Sequence, residues 1–329
     1  MDKERERLII IDGNAIVHRA FHALPPLTNK KGELVNAIYG FLLFFFKSIK
    51  EFKPDYVAAT FDYPAKTFRH RKYELYKAKR QKAPDNLYSQ IPKIKEVLKN
   101  FGIAVFEKEG YEADDIIGAI SHLAEIGNSE IETIILTGDN DTLQLVDGNT
   151  KVFALRRGVK DAVLYGEKET KEKYGGLNPN QLVDFRALRG DPSDNIPGVF
   201  GIGEKTAVEL IKKFGAVENL YRALETKTEK TKNIKDSVKE KLLKNKENAY
   251  LSKMLSQIEK NVPIEFSLEK CHWKNYDKEK VRKVLNDYGF VSLIKQLDNN
   301  NEKSKLAEEN QDAEKKGKIK KTERTMRLL

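Results

Sequence analysis

Three acids that fall within four positions, Glu112, Asp114 and Asp115, are the residues of this chain best able to do chemistry. They precede apolar residues at helical spacing, so they belong to the first turn of a predicted helix. Acidic side chains favour that turn because the helix dipole is positive there, and an isolated group of this kind is typical of a helix cap. Carboxylates this close together also repel one another, and such a cluster either takes up protons or attracts cations.

More acids follow three apolar segments, each of which is a predicted strand. The segments and their acids are 8–11 with Asp12, 56–61 with Asp62, and 132–137 with Asp139 and Asp141. A fourth strand is predicted at 103–106, shortly before the acidic cluster. Continuous apolar runs are typical of parallel strands, whose carboxyl ends lie at one edge of a sheet. We therefore predict an α/β fold with a mostly parallel central sheet flanked by helices, and acids that converge at one edge.

Such an edge would suit a hard divalent cation. Mg²⁺ and Mn²⁺ prefer carboxylate oxygens to His or Cys ligands, and none of the five histidines lies in the acidic segments. The acids would then serve as metal ligands rather than as nucleophiles.

A basic segment, from 64 to 84, follows the second predicted strand. Between Lys66 and Lys82 it contains eight Lys or Arg and one Glu, with Tyr73 and Tyr76 among them. Basic side chains neutralise phosphates and aromatic faces stack on unpaired bases, so the segment indicates contact with nucleic acid. A solvated basic helix is the alternative. The net charge of +10 agrees with a polyanionic partner, and also with a Lys-rich proteome.

The composition indicates a soluble intracellular protein. The 329 residues are 40% hydrophobic and 33% charged, which allows a sizeable core. The single cysteine, Cys271, excludes a disulfide framework or a Cys-based zinc site within one chain. No secretory signal is visible, and the longest apolar run, 37–46, is about half of what a bilayer requires. From Asp298 almost no apolar residues occur before Met326, so we predict a disordered charged tail.

A glycine-rich stretch, G-I-G-E-K-T from Gly201 to Thr206, stands at the start of another predicted helix. Backbone N–H groups at a helix start can bind a phosphate. The stretch does not follow a strand and opens no βαβ unit, so a dinucleotide site is not expected.

Taken together and in this order, the segments resemble the 5′-nuclease domain of bacterial DNA polymerase I, in the flap endonuclease family. The likeness runs from about Arg7 to Leu297 and rests on seven motifs that keep their order and approximate spacing. It implies a PIN-like nuclease fold. The motifs are I-I-I-D-G-N, F-H-A-L-P-P-L-T-N-x-K-G, F-D, F-R-H-x-x-Y-x-x-Y-K-A-x-R, Y-E-A-D-D-I-I-G, T-G-D-x-D-x-x-Q-L-V and L-R-G-D-x-S-D-N-I-P-G-V-x-G-I-G-E-K-T-A.

The resemblance implies a site for two or more ions of Mg²⁺ or Mn²⁺. The ligands of one ion would be Asp12, Asp62, Glu112 and Asp114. The ligands of the other would be Asp139, Asp141 and Asp194, with Asp115 and Asp191 close by. Lys77 and Arg80 match the residues that contact the scissile phosphate, and they are the expected catalytic cations.

The resemblance also implies a nuclease core at 1–176, a helical lobe at 177–297 and the tail at 298–329. Residues 64–100 would include a helical arch that threads or clamps a 5′ single strand. A helix–two-turn–helix element in the lobe would bind duplex phosphates, often with a potassium ion. The residues expected to contact DNA are Arg69, Tyr73, Tyr76, Lys77, Arg80, Gly198, Gly201, Gly203, Lys205 and Thr206.

These implications describe a structure-selective 5′ nuclease that acts on flapped, nicked or gapped duplex DNA. It would remove RNA primers or displaced 5′ ends during replication and repair. We expect a cytoplasmic bacterial monomer with no membrane partner, either a stand-alone nuclease or a fragment, with a DNA polymerase as a partner in trans. Asn140 departs from the family, which usually has Lys or Arg there, and the change removes a positive charge near the second ion.

Three alternatives remain. A non-catalytic DNA-binding relative would share the fold, although the presence of every motif acid disfavours it. A PIN-type ribonuclease would share the acid-edged sheet, but it lacks the long basic arch and the G-I-G-E-K-T stretch. A structural or membrane-surface basic protein would leave the acids unexplained.

Overall fold

A six-stranded sheet lies at the centre of the computed structural model, which describes residues 5–273 and 276–297. The strands are β1 Arg7–Asp12, β2 Tyr56–Thr60, β3 Ala104–Phe106, β4 Glu132–Thr137, β5 Thr150–Leu155 and β6 Ala162–Tyr165. Their order across the sheet is β3-β2-β1-β4-β5-β6. Strands β1 to β5 pair in parallel, and β6 runs antiparallel to β5. The predicted mostly parallel α/β sheet is confirmed.

Helices cover both faces of the sheet. They are α1 Gly13–Ala23, α2 Asn36–Phe52, α3 Phe68–Lys72, α4 Asp85–Tyr88, α5 Gln90–Asn100, α6 Ala113–Gly127, α7 Glu167–Lys173, α8 Leu182–Arg189, α9 Glu204–Phe214, α10 Val217–Glu225, α11 Asp236–Lys244, α12 Lys246–Ser256 and α13 Lys278–Asp287. Residues 291–297 are also helical. Among the described residues, no helix combines the length and the apolar character needed to cross a bilayer.

The central strand β1 is buried on both faces. Leu8 and Ile10 belong to one apolar cluster, Ile9 and Ile11 to another, and all four are at most 1% exposed. The first cluster includes side chains of α6 and of α8 to α12, and the second includes side chains of α1, α2, α5 and α13. Each buried aliphatic side chain contributes roughly 1.5–3 kcal/mol. This packing holds the strand ends, and the acids that follow them, in fixed positions.

Helical periodicity in the sequence predicts helices at 87–100, 178–188, 234–255 and 278–293, and in the structure all four are interrupted, end early or begin differently. The region 234–255 divides at Asn245 into α11 and α12, and the region 87–100 breaks at Ser89 into α4 and α5. The region 278–293 is helical only as far as Asp287, because Gly289 has a φ of +77° that a right-handed helix does not allow. The helix predicted from residue 178 begins instead with a 3₁₀ turn at Pro179–Gln181. The predicted tail at 298–329 lies outside the described residues.

The basic segment departs most from expectation, because it does not form a helical arch. Between 64 and 84 only α3 is helical, while residues 74–79 form turns and 80–84 have no regular structure. Lys77 has a φ of +56°, which is uncommon for a residue other than glycine. Lys77 and Arg80 pair with acids at the sheet edge, and these contacts take the place of a regular helix. We call residues 73–84 the arch segment.

One prediction concerns the loop 190–203, which joins α8 to α9 and packs backbone against backbone. Gly198 has a φ of +63°, and a Cβ there would lie 2.4 Å from the backbone nitrogen of Gly190. Gly198→Ala should lower the free energy of unfolding by about 2–4 kcal/mol, through overpacking and a strained φ. Urea denaturation measures this. Gly203→Ala is the control, because its Cβ would meet no atom within 4 Å, and it should cost at most about 1 kcal/mol. Equal losses in both variants would contradict the prediction.

Candidate active site

Asp12 is the acid at the centre of the sheet edge. It ends β1 and caps α1, and its carboxylate accepts hydrogen bonds from the Ala15 backbone N–H at 3.1 Å and the Thr137 hydroxyl at 2.6 Å. Thr137 is the last residue of β4, the neighbouring strand. Asp12 is only 2% exposed, and burial raises its pKa to about 7. The pairing of two parallel strands therefore holds a carboxylate where its charge is costly.

Asp62 and Glu112 meet at the N-terminus of α6. The Asp62 carboxylate accepts a hydrogen bond of 2.8 Å from the Ala113 backbone N–H, so the acid after β2 lies against the positive end of α6. The Asp62 backbone N–H donates to Asn14 Oδ1 at 3.0 Å. Glu112 is the N-cap of α6. The two predicted ligands therefore come from different elements and are joined by one helix terminus.

Asp114 is the least compensated of the acids. Its carboxylate accepts no hydrogen bond from any side chain or backbone group within 5–273 or 276–297. Burial raises its pKa well above the usual value, and the nearby charges of Asp12, Asp139 and Asp141 raise it further. A buried carboxylate without a partner is costly, and a bound cation would relieve that cost.

Asp139 and Asp141 are held by the loop that follows β4. The Asp139 backbone N–H donates to Thr137 Oγ1 at 2.9 Å, and the Asp141 backbone N–H donates to Asp139 Oδ1 at 3.0 Å. Arg186 of α8 donates to both oxygens of Asp141, with a distance of 2.9 Å from Nη1. Burial, together with Asp139, still raises the pKa of Asp141 to about 8, although Arg186 opposes the shift.

The arch segment brings two cations to these acids. Lys77 Nζ lies 2.7 Å from Glu112 Oε1 and 3.8 Å from Asp194 Oδ2. Arg80 donates to Asp194 Oδ1 from Nε at 2.8 Å and also from Nη2. The Lys77 backbone N–H donates to the Asp194 carbonyl oxygen at 2.9 Å, which ties the arch segment to the loop 190–203. Both predicted catalytic cations therefore lie beside the acids.

Acids and cations line one cavity of about 400 Å³ at the carboxyl edge of the sheet. The predicted site residues that line it are Asp12, Asp62, Arg69, Tyr76, Lys77, Arg80, Glu112, Asp114, Asp139, Asp141 and Asp194. Within the described part of the chain, no three acidic, imidazole or thiol side chains stand close enough together to hold one metal ion. The seven acids share a cavity, and Glu112 and Asp194 are bound to the arch cations.

Asp115 and Asp191 were predicted close to the metal ions, and the structure does not bring them into this cavity. Asp115 is fully buried, and Arg69 donates to its two oxygens at 2.7 and 2.8 Å. The Glu259 backbone N–H also donates to it, at 2.9 Å. Asp191 accepts hydrogen bonds from Arg186 at 2.8 Å and from its own loop. Both acids orient arginines and backbone, and their oxygens are occupied by those contacts.

Two residues of the basic segment that were predicted to contact DNA are instead buried. Arg69 is 2% exposed, and besides Asp115 it donates to the carbonyl oxygens of Leu255 and Gln257 at 2.9 and 2.6 Å. Tyr76 is 3% exposed, and its hydroxyl donates to Glu112 at 3.0 Å, so its ring is not free to stack on a base. Tyr73 is partly buried against the apolar cluster that Tyr76 forms with Ile196 and Leu255. The signal for nucleic-acid contact in these residues came from composition, which does not reveal burial.

Gly198 and the residues of the glycine-rich stretch that follows it differ in exposure. Gly198 is buried, and its backbone N–H donates to Ser252 Oγ at 2.8 Å. Gly201, Gly203 and Lys205 are exposed at the start of α9, and Thr206 is partly exposed. The exposed members therefore keep backbone and side-chain groups available for a phosphate, whereas Gly198 serves the packing of the loop.

One face of α1 also lines the cavity, although none of its residues was predicted as part of the site. The side chains that it contributes are Asn14, His18, Arg19 and His22. Their spacing of three or four residues directly after Asp12 was a usable signal, because such residues share one helix face. Burial lowers the pKa of His18. Ser256 was missed as well: it lines the cavity, and its buried Oγ has no hydrogen-bond partner among the described residues.

A prediction follows for stability in the absence of divalent cations. A carboxylate whose pKa is raised by folding destabilises the protein once the pH exceeds its unfolded pKa, and the cost grows up to the folded pKa. Asp114→Asn should therefore raise the free energy of unfolding in EDTA at pH 8 by about 1–3 kcal/mol, and should change it little at pH 4. Thermal denaturation at both pH values measures this. Glu172→Gln, on the exposed side of α7, is the control and should have no effect. A loss of stability at pH 8 would contradict the prediction.

Solved structures share this fold. The T5 D15 protein, co-crystallised with metal ions, matches with a TM-score of 0.63 and 18% identity, over 89% of this chain and 98% of that one. The catalytic core of Rad2 in complex with DNA substrate matches with a TM-score of 0.56 and 18% identity, over 89% and 93% of the two chains. At these identities the likeness concerns the fold.

Relatives in sequence are more similar. DNA polymerase I of Bacillus subtilis is 40% identical over 311 residues, which cover 94% of this chain and 34% of that protein. The chain thus spans about a third of such polymerases. The 5′-3′ exonuclease of Aquifex aeolicus is 41% identical over 292 residues, 88% of this chain and 95% of that protein. The family description "5′-3′ exonuclease, N-terminal resolvase-like domain" matches residues 7–175, and "5′-3′ exonuclease, C-terminal SAM fold" matches 177–279. The chain belongs to the 5′-3′ exonuclease family.

Proposed function

We propose that this chain is a structure-selective 5′ nuclease, which hydrolyses phosphodiesters at 5′ ends, flaps, nicks or gaps of duplex DNA. The observation that carries the proposal is the cavity at the sheet edge, where seven carboxylates meet two cations of the arch segment. The family supports a nuclease, and the Rad2 core in complex with DNA substrate has the same fold. The natural 5′ ends would include RNA primers, as part of replication and repair.

The donor set has the right chemistry for two divalent cations such as Mg²⁺ or Mn²⁺, although no three of the described acids stand close enough together in the present conformation to hold one ion. It consists of carboxylate oxygens, and the raised pKa of Asp12, Asp114 and Asp141 marks charges that a cation would stabilise. The residues that would hold the ions are Asp12, Asp62, Glu112 and Asp114 for one, and Asp139, Asp141 and Asp194 for the other. Bound ions of this kind make water a stronger nucleophile and stabilise charge on the reacting oxygens. A T5 5′-exonuclease with bound zinc has the same fold.

Lys77 and Arg80 would supply positive charge where the negative charge of the phosphate develops. Such preorganised donors lower the barrier by a few kcal/mol each in other enzymes. In the present conformation both residues bind acids, so a cation and the arch segment compete for Glu112 and Asp194. Asp115 and Asp191 would act indirectly, since Asp115 accepts the Glu112 backbone N–H at 3.0 Å and Asp191 holds Arg186.

The exposed part of the loop 190–203 and the first turn of α9 would bind duplex phosphates through Gly201, Gly203, Lys205 and Thr206. A potassium ion would bind in this loop.

The bacterial relatives support a cytoplasmic location. Since the matched polymerases are about three times as long as the match, a polymerase partner in the same chain or in trans is proposed as well. A monomer remains a prediction.

The first experiment uses a 5′-labelled flapped DNA duplex with Mg²⁺, with EDTA, and with an RNA flap for comparison. The wild type should release the DNA flap in Mg²⁺ only. Asp139→Asn combined with Asp141→Asn should reduce kcat by at least about 100-fold and leave DNA binding in place. Glu172→Gln is the control with an acid removed elsewhere. Binding without cleavage under any divalent ion would support a non-catalytic DNA-binding protein, and preference for the RNA flap would support a ribonuclease.

A second experiment separates the arch cations from the metal ligands. Lys77→Ala should lower kcat about 100-fold or more. It should not weaken Mn²⁺ binding measured by calorimetry, because Lys77 occupies a carboxylate oxygen of Glu112 that the ion would use. Lys79→Ala, an exposed neighbour in the arch segment, is the matched control. Weaker Mn²⁺ binding in Lys77→Ala would show that the lysine helps to build the ion site, contrary to this proposal.

A further inference from the structure

A second cavity, of about 220 Å³, is lined in part by Asn140, the residue between Asp139 and Asp141. We call it the basic cavity. Its polar lining consists of Arg19, Asn140, Arg156, Arg157, Tyr165 and Lys173. Arg19 also lines the cavity that contains the seven acids, so the two cavities are neighbours. The hairpin between β5 and β6 supplies Arg156 and Arg157, and α7 supplies Lys173.

The basic cavity holds four cationic side chains and no acidic one. None of the four has a carboxylate within 4 Å among residues 5–273 and 276–297. Arg19 donates to the Gly138 carbonyl oxygen at 2.9 Å. Lys173 donates to Asn140 Oδ1 at 3.0 Å and lies 5.0 Å from the centre of the Tyr165 ring. Neutral acceptors orient these two cations and leave their charge uncompensated, which makes a concave site of this kind attractive to an anion.

The position of Asn140 connects the basic cavity to the acids. Asn140 is bonded to Asp139 on one side and Asp141 on the other, and consecutive Cα atoms lie only about 3.8 Å apart. A nucleic-acid strand carries one phosphate about every 3.4 Å of helix axis. A strand with one phosphate among the acids therefore has its neighbouring phosphates within reach of the basic cavity.

We propose that the basic cavity binds a backbone phosphate of the strand that is cleaved, one or two nucleotides from the scissile phosphate. This inference rests on the proposed nuclease function. Arg156, Arg157 and Lys173 would fix the register of the strand over the acids, and Asn140 would hold Lys173 in place. The ligand is a phosphodiester, and a free phosphate ion is the other source of the same chemistry.

The test is the salt dependence of DNA binding in EDTA, which needs no catalysis. Each phosphate contact contributes about −0.9 to the slope of log K against log salt for duplex DNA, and about −0.7 for a single strand. Arg157→Gln combined with Lys173→Gln should make the slope less negative by about 0.7 to 0.9. Lys168→Gln combined with Lys283→Gln removes the same charge from exposed positions on α7 and α13, and should leave the slope near that of the wild type.

Two further readouts complete the test. In Mg²⁺, the Arg157 and Lys173 double variant should spread its cuts over neighbouring nucleotides, while the control variant should cut where the wild type does. Inorganic phosphate at matched ionic strength should compete with DNA no better than chloride does. An unchanged slope, or an equal change in the control, would overturn the proposal, as would phosphate binding lost without any effect on DNA. If the wild type binds DNA but does not cleave it, the nuclease function fails while the slope still tests the cavity.

Discussion

The repulsion among seven carboxylates in one cavity is the constraint on which the rest of the structure depends. Each charge costs free energy because it is taken out of water and placed near other charges of the same sign. The raised pKa of Asp12 and Asp141 reports that cost. Burial of both faces of the sheet offsets it, since β1 and β4 are held by apolar clusters on either side. A sheet packed this tightly does not relax to let the acids move apart.

Two kinds of cation surround the acids, and they differ in exposure. The Arg69 side chain is 3% exposed and the Arg186 side chain 12%, and each joins elements that are distant in sequence. The Arg80 side chain is 50% exposed, on a segment without regular structure. Removing a buried arginine would leave an unpaired buried carboxylate, whereas the exposed pair is weaker and exchanges with solvent more easily. The buried arginines therefore maintain the framework, and Arg80 is the cation best able to change partner.

An acidic cavity and a basic cavity lie next to each other and share Arg19 in their lining. Under the proposed function, phosphates would be repelled by the acids and attracted by the arch segment, the exposed loop before α9 and the basic cavity. Cations on several sides would therefore hold a strand while divalent ions make the acids compatible with it. Arg19 of α1 lines both cavities, and its hydrogen bond to the Gly138 carbonyl oxygen stabilises the loop that contributes to both. Lys173 places a positive charge beside Asn140, the position at which the family usually has Lys or Arg.

The sequence alone determined the parallel sheet and the convergence of the acids, because apolar runs and the residues that end them are local features. Strand order and parallel pairing then carry Asp12, Asp62 and Asp139 to one edge. Tertiary structure decided which charged residues face the cavity. Asp115 has the same residue type as the acids in the cavity, but it pairs with Arg69, which packs against α12 and the chain after it, and this pairing keeps Asp115 buried outside the cavity. The basic cavity could not be predicted either, since its residues come from α1, the β5–β6 hairpin and α7, and long-range folding alone brings them together.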